Sequence, residues 1–465
     1  MIFGPTYDEM LHPEKIDGKI RERALKVRND DPLDPINLFN ITWKDEKNRI
    51  YYQVIPEEIT GVAAPIVVIY SKEFPTGSHK SGATYSVLME KQLRNEVDPK
   101  KHTLVWPSTG NYGIGGAWVG CRMKYDCLVI LPEEMSQERF DRIESYGARY
   151  IKTPGCESNV KEIYDKTWEL RKSDPDKIRI MNQFEEMANY RFHYQVTGNT
   201  IVELASELKA QQIGNGKIAA FVSSMGSSGT IGAGDRIKEE WRDHLIVGLE
   251  PVQCPTLYSN GYGGHDIQGI GDKHVTWIHH TDNMDAIMCV DDMECKLGLQ
   301  LFTDDVGSKF LTKEVGVKEQ DAKMLSEIFG ISGICNLIGA IKTAKHYRLG
   351  KDDVIVTVCT DAIDRYHSVM KGLDDQFGKL SPSESHNRLR HIFHGARTDY
   401  ILEGTQHARD CWHNLKYYTW VEQQGKTVEE LNRQRTKEYW LEEQSEISEV
   451  DAMNLKNRNN AIAGR

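Results

Sequence analysis

The sequence predicts an α/β protein with two doubly wound domains, each built on a parallel or mixed sheet, plus a helical C-terminal extension. Short apolar runs of strand length recur between about residues 64 and 362. Each run is followed by small or polar residues and then by an amphipathic, helix-like stretch. Strands that alternate with helices form parallel sheets with helices on both faces. After about residue 371, charged, Gln and aromatic residues replace this alternation.

In chain order, residues 1–60 are polar and predict an irregular N-terminal extension. The buried strands are predicted at 65–70, 104–106, 127–131, 150–153, 218–223, 245–250 and 354–360. Helices are predicted at 135–146, 159–172 and 200–211. The strands are numerous enough for two sheets.

Composition excludes several classes of protein. The chain has 465 residues, with 58 Lys and Arg against 69 Asp and Glu, a net charge of −11. An acidic chain without a basic block is a poor candidate for binding nucleic acid or an anionic membrane. No apolar run approaches the roughly 18 residues of a membrane helix. The absence of a signal-like N-terminus and of any CxxC pair among nine cysteines predicts a cytoplasmic location.

Metal catalysis is not predicted either. The chain lacks an HExxH motif and any carboxylate set with EF-hand spacing. His386, His391 and His394 lie close together in sequence, but within the charged C-terminal stretch.

Four loops follow predicted strands, where open α/β sheets bind ligands. The first, FPTGSHKSGA, places Lys80 after His79 at the start of a helix. A lysine that forms a covalent imine needs close packing and a lowered pKa, and this local sequence permits both. An ordinary surface lysine is the alternative.

The second loop, PSTGNYGIGG, offers backbone N–H groups and hydroxyls to an anion such as a carboxylate, although it also fits an ordinary capped helix. The third, SSMGSSGTIGAG, predicts a phosphate cradle between a strand and a helix. Neither the dinucleotide pattern GxGxxG nor the P-loop pattern GxxxxGK[ST] fits it, so a small phosphorylated cofactor is favoured. The fourth, VIVTVCTDAIDRY, ends a strand at Thr360 and Asp361, which would face the other loops or cap the next helix.

Taken together and in this order, the motifs resemble the fold-type II pyridoxal-phosphate (PLP) enzymes, in particular the cysteine synthase and cystathionine β-synthase branch. The resemblance is carried by PTGSHKSGA, STGNYG, MNQFEEMANYRFHYQVTG (181–198), GSSGTI, HDIQGIG (265–271) and DRYHS (364–368). The His-Lys pair is more similar to that of the tryptophan synthase β chain. The likeness spans about residues 60–370.

The resemblance implies a role for each site residue. Lys80 forms the internal aldimine with PLP and acts as the base at Cα, and Asn111 contacts the phenolic oxygen of the cofactor. The phosphate is held by Gly226, Ser227, Ser228, Gly229 and Thr230, with a further contact from His79. The substrate carboxylate is held by Ser108, Thr109 and Gln183, with backbone help around Gly110 and Tyr112.

The resemblance also implies the domain limits. Residues 61–98 and 196–370 form a large PLP-binding domain, and residues 99–195 form a small domain that carries the substrate-carboxylate loop. Residues 1–60 and 371–465 are extensions on either side. Because fold-type II enzymes are commonly dimers, the resemblance implies a homodimer.

Two departures from the family pattern bear on the chemistry. Tyr112 stands where the family usually has Thr, which suggests a different substrate side chain or nucleophile. Ala362 stands where a serine usually meets the pyridine nitrogen, so Thr360 or Asp361 takes that place or the nitrogen has no side-chain partner. A carboxylate there would keep the nitrogen protonated and widen the chemistry to Cα–Cβ cleavage or thiolysis.

The function expected from the resemblance is a PLP-dependent lyase or β-replacement enzyme that acts on a small amino acid through an external aldimine and an aminoacrylate. Within the same cofactor family, a threonine synthase-like or ammonia-lyase activity and a thiolase subunit for an amino-keto acid, working with a partner chain, are alternatives. A non-catalytic protein that binds a phosphorylated metabolite is the alternative from another class.

Overall fold

The computed structural model describes residues 1–108, 110–155 and 160–462. Within these ranges the strands form a seven-stranded sheet and a four-stranded sheet. The strands are β1 (Tyr52–Val54), β2 (Ile66–Tyr70), β3 (Thr103–Pro107), β4 (Asp126–Pro132), β5 (Arg149–Thr153), β6 (Ile178–Ile180), β7 (Ile218–Ser224), β8 (Leu245–Pro251), β9 (Ala286–Val290), β10 (Val354–Cys359) and β11 (Ile401–Glu403). The predicted α/β class with parallel-rich sheets is confirmed.

Helices cover both sheets, as the alternation of the sequence predicts. They are α1 (Tyr7–Leu11), α2 (Gly18–Asp30), α3 (Glu57–Thr60), α4 (Lys80–Leu93), α5 (Asn111–Arg122), α6 (Gln137–Ser145), α7 (Val160–Ser173), α8 (Met187–Phe192), α9 (Asn199–Ala210), α10 (Ile231–Glu240), α11 (Thr256–Ser259), α12 (Asp292–Thr303), α13 (Asp305–Phe310), α14 (Glu319–Ile328), α15 (Ile331–Tyr347), α16 (His367–Phe377), α17 (Pro382–Arg388), α18 (Gln406–Asn414), α19 (Val428–Arg433) and α20 (Lys437–Ile462).

The strand order of the larger sheet places three loops side by side. Within the described residues its order is β1-β2-β10-β7-β8-β9-β11. Strands β2, β10 and β7 are parallel neighbours, so the loops that follow them leave from one edge of the sheet. The two outer pairs, β1 with β2 and β9 with β11, are antiparallel. These pairs make the sheet mixed rather than purely parallel.

The smaller sheet is parallel throughout the described residues, in the order β5-β4-β3-β6. Its central strand β3 is completely buried. A buried parallel strand reads as a continuous apolar run, which is why the sequence located β3. The limits of the two domains stay a prediction, but the four strands of this sheet fall between residues 99 and 195.

The N-terminal 60 residues are more regular than the sequence predicts, and the expectation of an irregular extension is wrong. They form helices α1, α2 and α3 and strand β1. Helix α2 begins after Asp17, whose side chain accepts hydrogen bonds from the N–H groups of Lys19 and Ile20. This N-cap compensates for a helix in which Ala24 supplies the buried surface.

The C-terminal extension is helical, as predicted, and it packs on the same chain. Helix α20 contacts the N-terminus, where the carboxylate of Asp451 accepts hydrogen bonds from the N–H groups of Tyr7 (2.7 Å) and Asp8 (3.0 Å). It also contacts α8, where Arg191 pairs with Glu443. The extension further supplies the edge strand β11, whose three residues the sequence does not predict.

Within the described part of the chain, no single helix is both long and apolar enough to cross a membrane. Helices α14 and α15 reach that length and composition only as a pair, and they are bent by 120° relative to each other. Most residues of α15 are buried in the protein core.

A glycine on α5 permits the close packing of that helix on the smaller sheet. A Cβ atom added to Gly116 would lie 2.2 Å from Cδ2 of the buried Trp106. We expect Gly116→Ala to lower the free energy of unfolding by about 1–3 kcal/mol, because it overpacks the core. Gly372→Ala is the matched control, since Gly372 lies on α16 with open space around it. We expect the control to gain about 0.5–1 kcal/mol from helix propensity. Urea denaturation measures both, and equal effects would contradict this packing.

Candidate active site

Lys80 lies at the first turn of α4, at the end of the loop that follows β2. Its Nζ donates a hydrogen bond to Oγ of Ser227, at 3.1 Å. Ser227 belongs to the glycine-rich loop after β7, 147 residues away in sequence. The predicted lysine and the predicted phosphate cradle therefore face each other across one cavity.

The glycine-rich loop is tightly built and leads into the N-terminus of α10. Ser228 has a positive φ of 62°. A Cβ at Gly226 would lie 3.0 Å from the carbonyl oxygen of Gly269, and one at Gly229 would lie 2.4 Å from Oδ1 of Asn189. Only glycine allows both approaches, so the backbone of the loop lies close to its neighbours. N–H groups at a helix N-terminus with this shape favour an anion.

The loop after β3 forms a second wall of the cavity. Oγ of Ser108 accepts hydrogen bonds from the N–H groups of Gly110 (2.8 Å) and Gly113 (2.7 Å), so Ser108 maintains the shape of the loop. Gly110 has φ of 154°, and a Cβ there would lie 2.9 Å from Nε of Arg139. The predicted Thr109 lies outside the described residues.

The two residues that follow β10, Thr360 and Asp361, are the candidates for the contact with the pyridine nitrogen, and they lie in different surroundings. Thr360 lines the cavity, and its Oγ1 lies 2.6 Å from Oγ of Ser332. Asp361 is fully buried behind Asn111 instead, because its Oδ2 accepts hydrogen bonds from Nδ2 of Asn111 (2.5 Å) and from the hydroxyl of Tyr366 (2.6 Å). This geometry favours Thr360 as the group that faces the ligand and Asp361 as the group that orients Asn111.

The cavity gathers most of the predicted residues. It is lined by His79, Lys80, Ser108, Gly110, Asn111, Tyr112, Gln183, Gly226, Ser227, Ser228, Thr230 and Thr360, together with Ser224, Gly269 and Ile270, which were not predicted. Two other predicted residues are not among the lining residues: Gly229 lies against Asn189, and Asp361 is buried behind Asn111. The roles of these residues stay predictions.

Polar atoms without partners surround this cavity. Among the described residues, buried atoms that lack a hydrogen-bond partner include Oδ1 of Asn111, the hydroxyl of Tyr112 and Oγ of Ser224. Buried polar groups are normally satisfied, so such a cluster around one cavity indicates a polar ligand. A glycine-rich anion cradle, the amine of Lys80 and the amide of Asn111 line one cavity, and this set of groups fits PLP.

Burial and charge tune the amine of Lys80. Burial lowers its pKa to about 8, and the carboxylate of Asp272 opposes that shift. Burial raises the pKa of Asp272 to about 7, and Lys80 opposes that shift in turn. Burial, reinforced by the charge of Lys80, also lowers the pKa of His79. His79 is therefore neutral, and a neutral amine on Lys80 is accessible near neutral pH.

Three further residues of this region contact the site or its loops, and their roles are not predicted by the sequence. Asn189 lies inside the 181–198 motif. Asp272 follows HDIQGIG directly, and Thr276 lies four residues after Asp272. Asn189 donates to Oγ of Ser227 (3.0 Å), and Thr276 donates to the carbonyl oxygen of the same residue (2.9 Å). A carboxylate next to a motif glycine was the available signal for Asp272. No sequence signal marks Thr276.

The fold and the cavity define a fold-type II PLP enzyme. Residues 71–361 match the family described as pyridoxal-phosphate dependent enzyme, and the chain belongs to that family. The protein is therefore a PLP-dependent enzyme, as the resemblance predicts. The family match ends at residue 361, so the C-terminal extension lies outside it.

Individual proteins and solved structures are similar to this chain. A cysteine synthase of Staphylococcus aureus is 30% identical over 311 residues, which are 66% of this chain and 88% of the relative. A hydrogen sulfide-producing enzyme of Fusobacterium nucleatum has a solved structure that is 28% identical, with a TM-score of 0.55, and covers 70% of this chain and 88% of its own. An O-acetylserine sulfhydrylase of Entamoeba histolytica shares the fold at 22% identity and a TM-score of 0.59, covering 76% and 99%.

The pKa of Lys80 gives a pH dependence for cofactor capture. Only the neutral amine attacks an aldehyde, so the capture rate of the apoprotein should rise as pH increases through about 8. Asp272→Asn removes an anion that stabilises the ammonium form, so its midpoint should lie at lower pH. Stopped-flow absorbance of apoprotein mixed with PLP measures both profiles. A wild-type midpoint near 10, or an upward shift in the variant, would contradict this electrostatic account.

The contact between Asn111 and Asp361 predicts coupled effects on cofactor affinity. A hydrogen bond to a buried carboxylate is stronger than a neutral one. We expect Asn111→Ala and Asp361→Asn to weaken PLP binding non-additively, with a coupling free energy of about 1–2 kcal/mol. Titration of the two single variants and the double variant gives this value. The exposed pair Lys371 and Asp375 provides a control cycle, for which we expect no coupling in PLP affinity.

Proposed function

We propose that the protein catalyses β-replacement on a small amino acid that carries a leaving group at Cβ. The observation that carries this proposal is the 3.1 Å contact between Lys80 and Ser227, with the Ser108–Tyr112 loop on the same cavity. This arrangement brings a nucleophilic amine, an anion cradle and a carboxylate-binding loop within reach of one small ligand. Cysteine synthase activity in a relative that is 30% identical supports the reaction class.

Lys80 is the proposed base. When bound, PLP withdraws electrons from Cα of the amino acid and makes its proton acidic. A pKa of about 8 leaves part of the Lys80 amine neutral near neutral pH, so it accepts that proton without a further general base. Asp272 counters the charge that Lys80 then carries. The lining residues Ser108, Tyr112 and Ser227 are buried, which limits the access of water to this transfer.

The substrate carboxylate is the proposed ligand of the loop before α5. The first residues of this 12-residue helix, Asn111 and Tyr112, line the cavity, and the N-terminus of a helix attracts an anion. Gln183 lines the same cavity, and its backbone carbonyl oxygen accepts a hydrogen bond from Nδ2 of Asn189 (3.0 Å). Thr109 stays part of this proposal from the sequence alone.

Tyr112 is the proposed selector of the substrate side chain. Its ring contacts Trp106, and its buried hydroxyl lacks a hydrogen-bond partner among the described residues. Burial raises the pKa of this phenol far above the usual value, so it stays a neutral hydrogen-bond donor. A phenol in this position donates to a polar atom of the substrate beyond the carboxylate.

Tyr112→Phe should therefore raise the KM for the true substrate about five- to twentyfold and leave the visible absorption of the bound cofactor unchanged, because it removes one hydrogen bond and keeps the ring. Steady-state kinetics and absorption spectra measure the two effects. Tyr150→Phe, on the partly exposed face of β5, is the control and should match the wild type. An unchanged KM would remove Tyr112 from substrate recognition.

A substrate panel tests the reaction class. We expect the holoenzyme to convert O-acetylserine and sulfide to cysteine, with release of acetate measured by chromatography. Turnover of threonine alone to ammonia and a keto acid would instead indicate the lyase alternative. Turnover confined to a longer amino-keto acid would overturn β-replacement in favour of the thiolase alternative. Lys80→Ala is the control for every arm and should be inactive.

We also propose that the protein is a homodimer, by likeness to its family, and the cytoplasmic location stays a prediction. Large exposed apolar side chains such as Phe377 and Tyr418 support a further contact surface in the extension. Analytical ultracentrifugation of the full chain and of a Phe377→Ser variant tests this, and a monomeric wild type would contradict it.

A further inference from the structure

The segment 275–279 lies between the cavity and the C-terminal extension. Alternate carbonyl oxygens of this segment accept hydrogen bonds from side chains of the extension. These bonds are Trp420 Nε1 to Val275 O (2.8 Å), Lys416 Nζ to Trp277 O (3.0 Å) and Lys416 Nζ to His279 O (2.7 Å). The extension thus holds one edge of the segment along its whole length.

Lys416 is the centre of this contact. Its side chain is completely buried, although a lysine is almost never fully buried without partners. Its Nζ makes a third hydrogen bond to Oε1 of Gln434 (2.7 Å), and Gln434 itself donates to the carbonyl oxygen of Trp277 (3.1 Å). Three oxygen atoms therefore surround Nζ, and none of them belongs to a carboxylate.

The same segment also contacts the glycine-rich loop and the residue after Gln183. Oγ1 of Thr276 donates to the carbonyl oxygen of Ser227 (2.9 Å), and the N–H of Trp277 donates to the carbonyl oxygen of Phe184 (2.9 Å). Phe184 follows Gln183, and Ser227 receives the hydrogen bond of Lys80. Thr276, which contacts the glycine-rich loop, therefore lies directly between Val275 and Trp277, whose carbonyl oxygens accept hydrogen bonds from the extension.

We propose that Lys416 is a positioning residue for the cofactor phosphate, through which the C-terminal extension holds the glycine-rich loop in its binding shape. The path runs from Lys416 to Trp277 and His279, along the backbone to Thr276, and from its hydroxyl to Ser227. This inference rests on the proposed assignment of residues 226–230 to the phosphate. It gives a role in the active site to a part of the chain outside the family match.

Ligands with and without a phosphate separate this role from general stabilisation. Apoprotein is titrated with PLP and with pyridoxal, which carries the same aldehyde and ring but no phosphate. Lys416→Met keeps the aliphatic stem and removes the donors, which leaves buried carbonyl oxygens unsatisfied. We expect its Kd for PLP to rise about tenfold or more, and its Kd for pyridoxal to change less than twofold. Lys456→Met, at an exposed position of α20, should leave both values unchanged.

Two further variants keep the test decisive if Lys416→Met does not fold. Trp420→Phe removes a single N–H donor to the same segment, and Thr276→Val removes the bond to Ser227. Each should weaken PLP binding selectively. In the double variant Lys416→Met/Thr276→Val, the loss of PLP affinity should be smaller than the product of the two single losses, because both act through one connection.

Equal weakening of PLP and pyridoxal, or PLP binding of all three variants at wild-type strength, would overturn the proposal. Multiplicative losses in the double variant would overturn the proposed path. If wild-type protein bound pyridoxal as tightly as PLP, the phosphate assignment would fail instead, whatever the variants do. This test measures cofactor binding and not cysteine formation, so its result bears on the role of Lys416 and leaves the proposed reaction untouched.

Discussion

The structure depends on one constraint: an amine must be partly shielded from water, close to an anion cradle, without a carboxylate bonded to it. Lys80 meets this constraint because the loops after β2, β7 and β10 leave from one edge of the larger sheet. Ser227 supplies a neutral hydrogen-bond partner, while Asp272 acts through its field and supplies part of the missing counter-charge. The smaller sheet adds the loop that closes the cavity from the other side.

Burial alone makes several strands predictable from the sequence, although β9, which is also buried along its whole length, is not among the predicted strands. Strands β3 and β10 are buried on both faces and appear as unbroken apolar runs. The prediction fails where structure depends on caps or on partners distant in sequence. Helix α2 buries little apolar surface and relies on the cap of Asp17, while β11 is a three-residue strand that exists only through its pairing with β9.

In the site, too, features with a local sequence signature are predictable, and contacts between distant residues are not. Short motifs locate Lys80 and the glycine-rich loop, because helix starts and glycine loops have local signatures. Side-chain pairs from distant parts of the chain have none. The bond between Asn111 and Asp361 joins residues 250 apart, and the contact of Lys416 with residue 277 spans 139. Both contacts join residues that no short motif connects, so they become visible only in the folded chain.

The central claim is that the amine of Lys80 carries the cofactor. Treatment of the holoenzyme with borohydride, followed by proteolysis and mass spectrometry of the peptides, tests it most directly, because reduction makes an imine bond permanent at the residue that formed it. The account predicts one reduced pyridoxyl adduct, on the peptide that contains Lys80. An adduct on another lysine, or cofactor that is released intact after reduction, would contradict it.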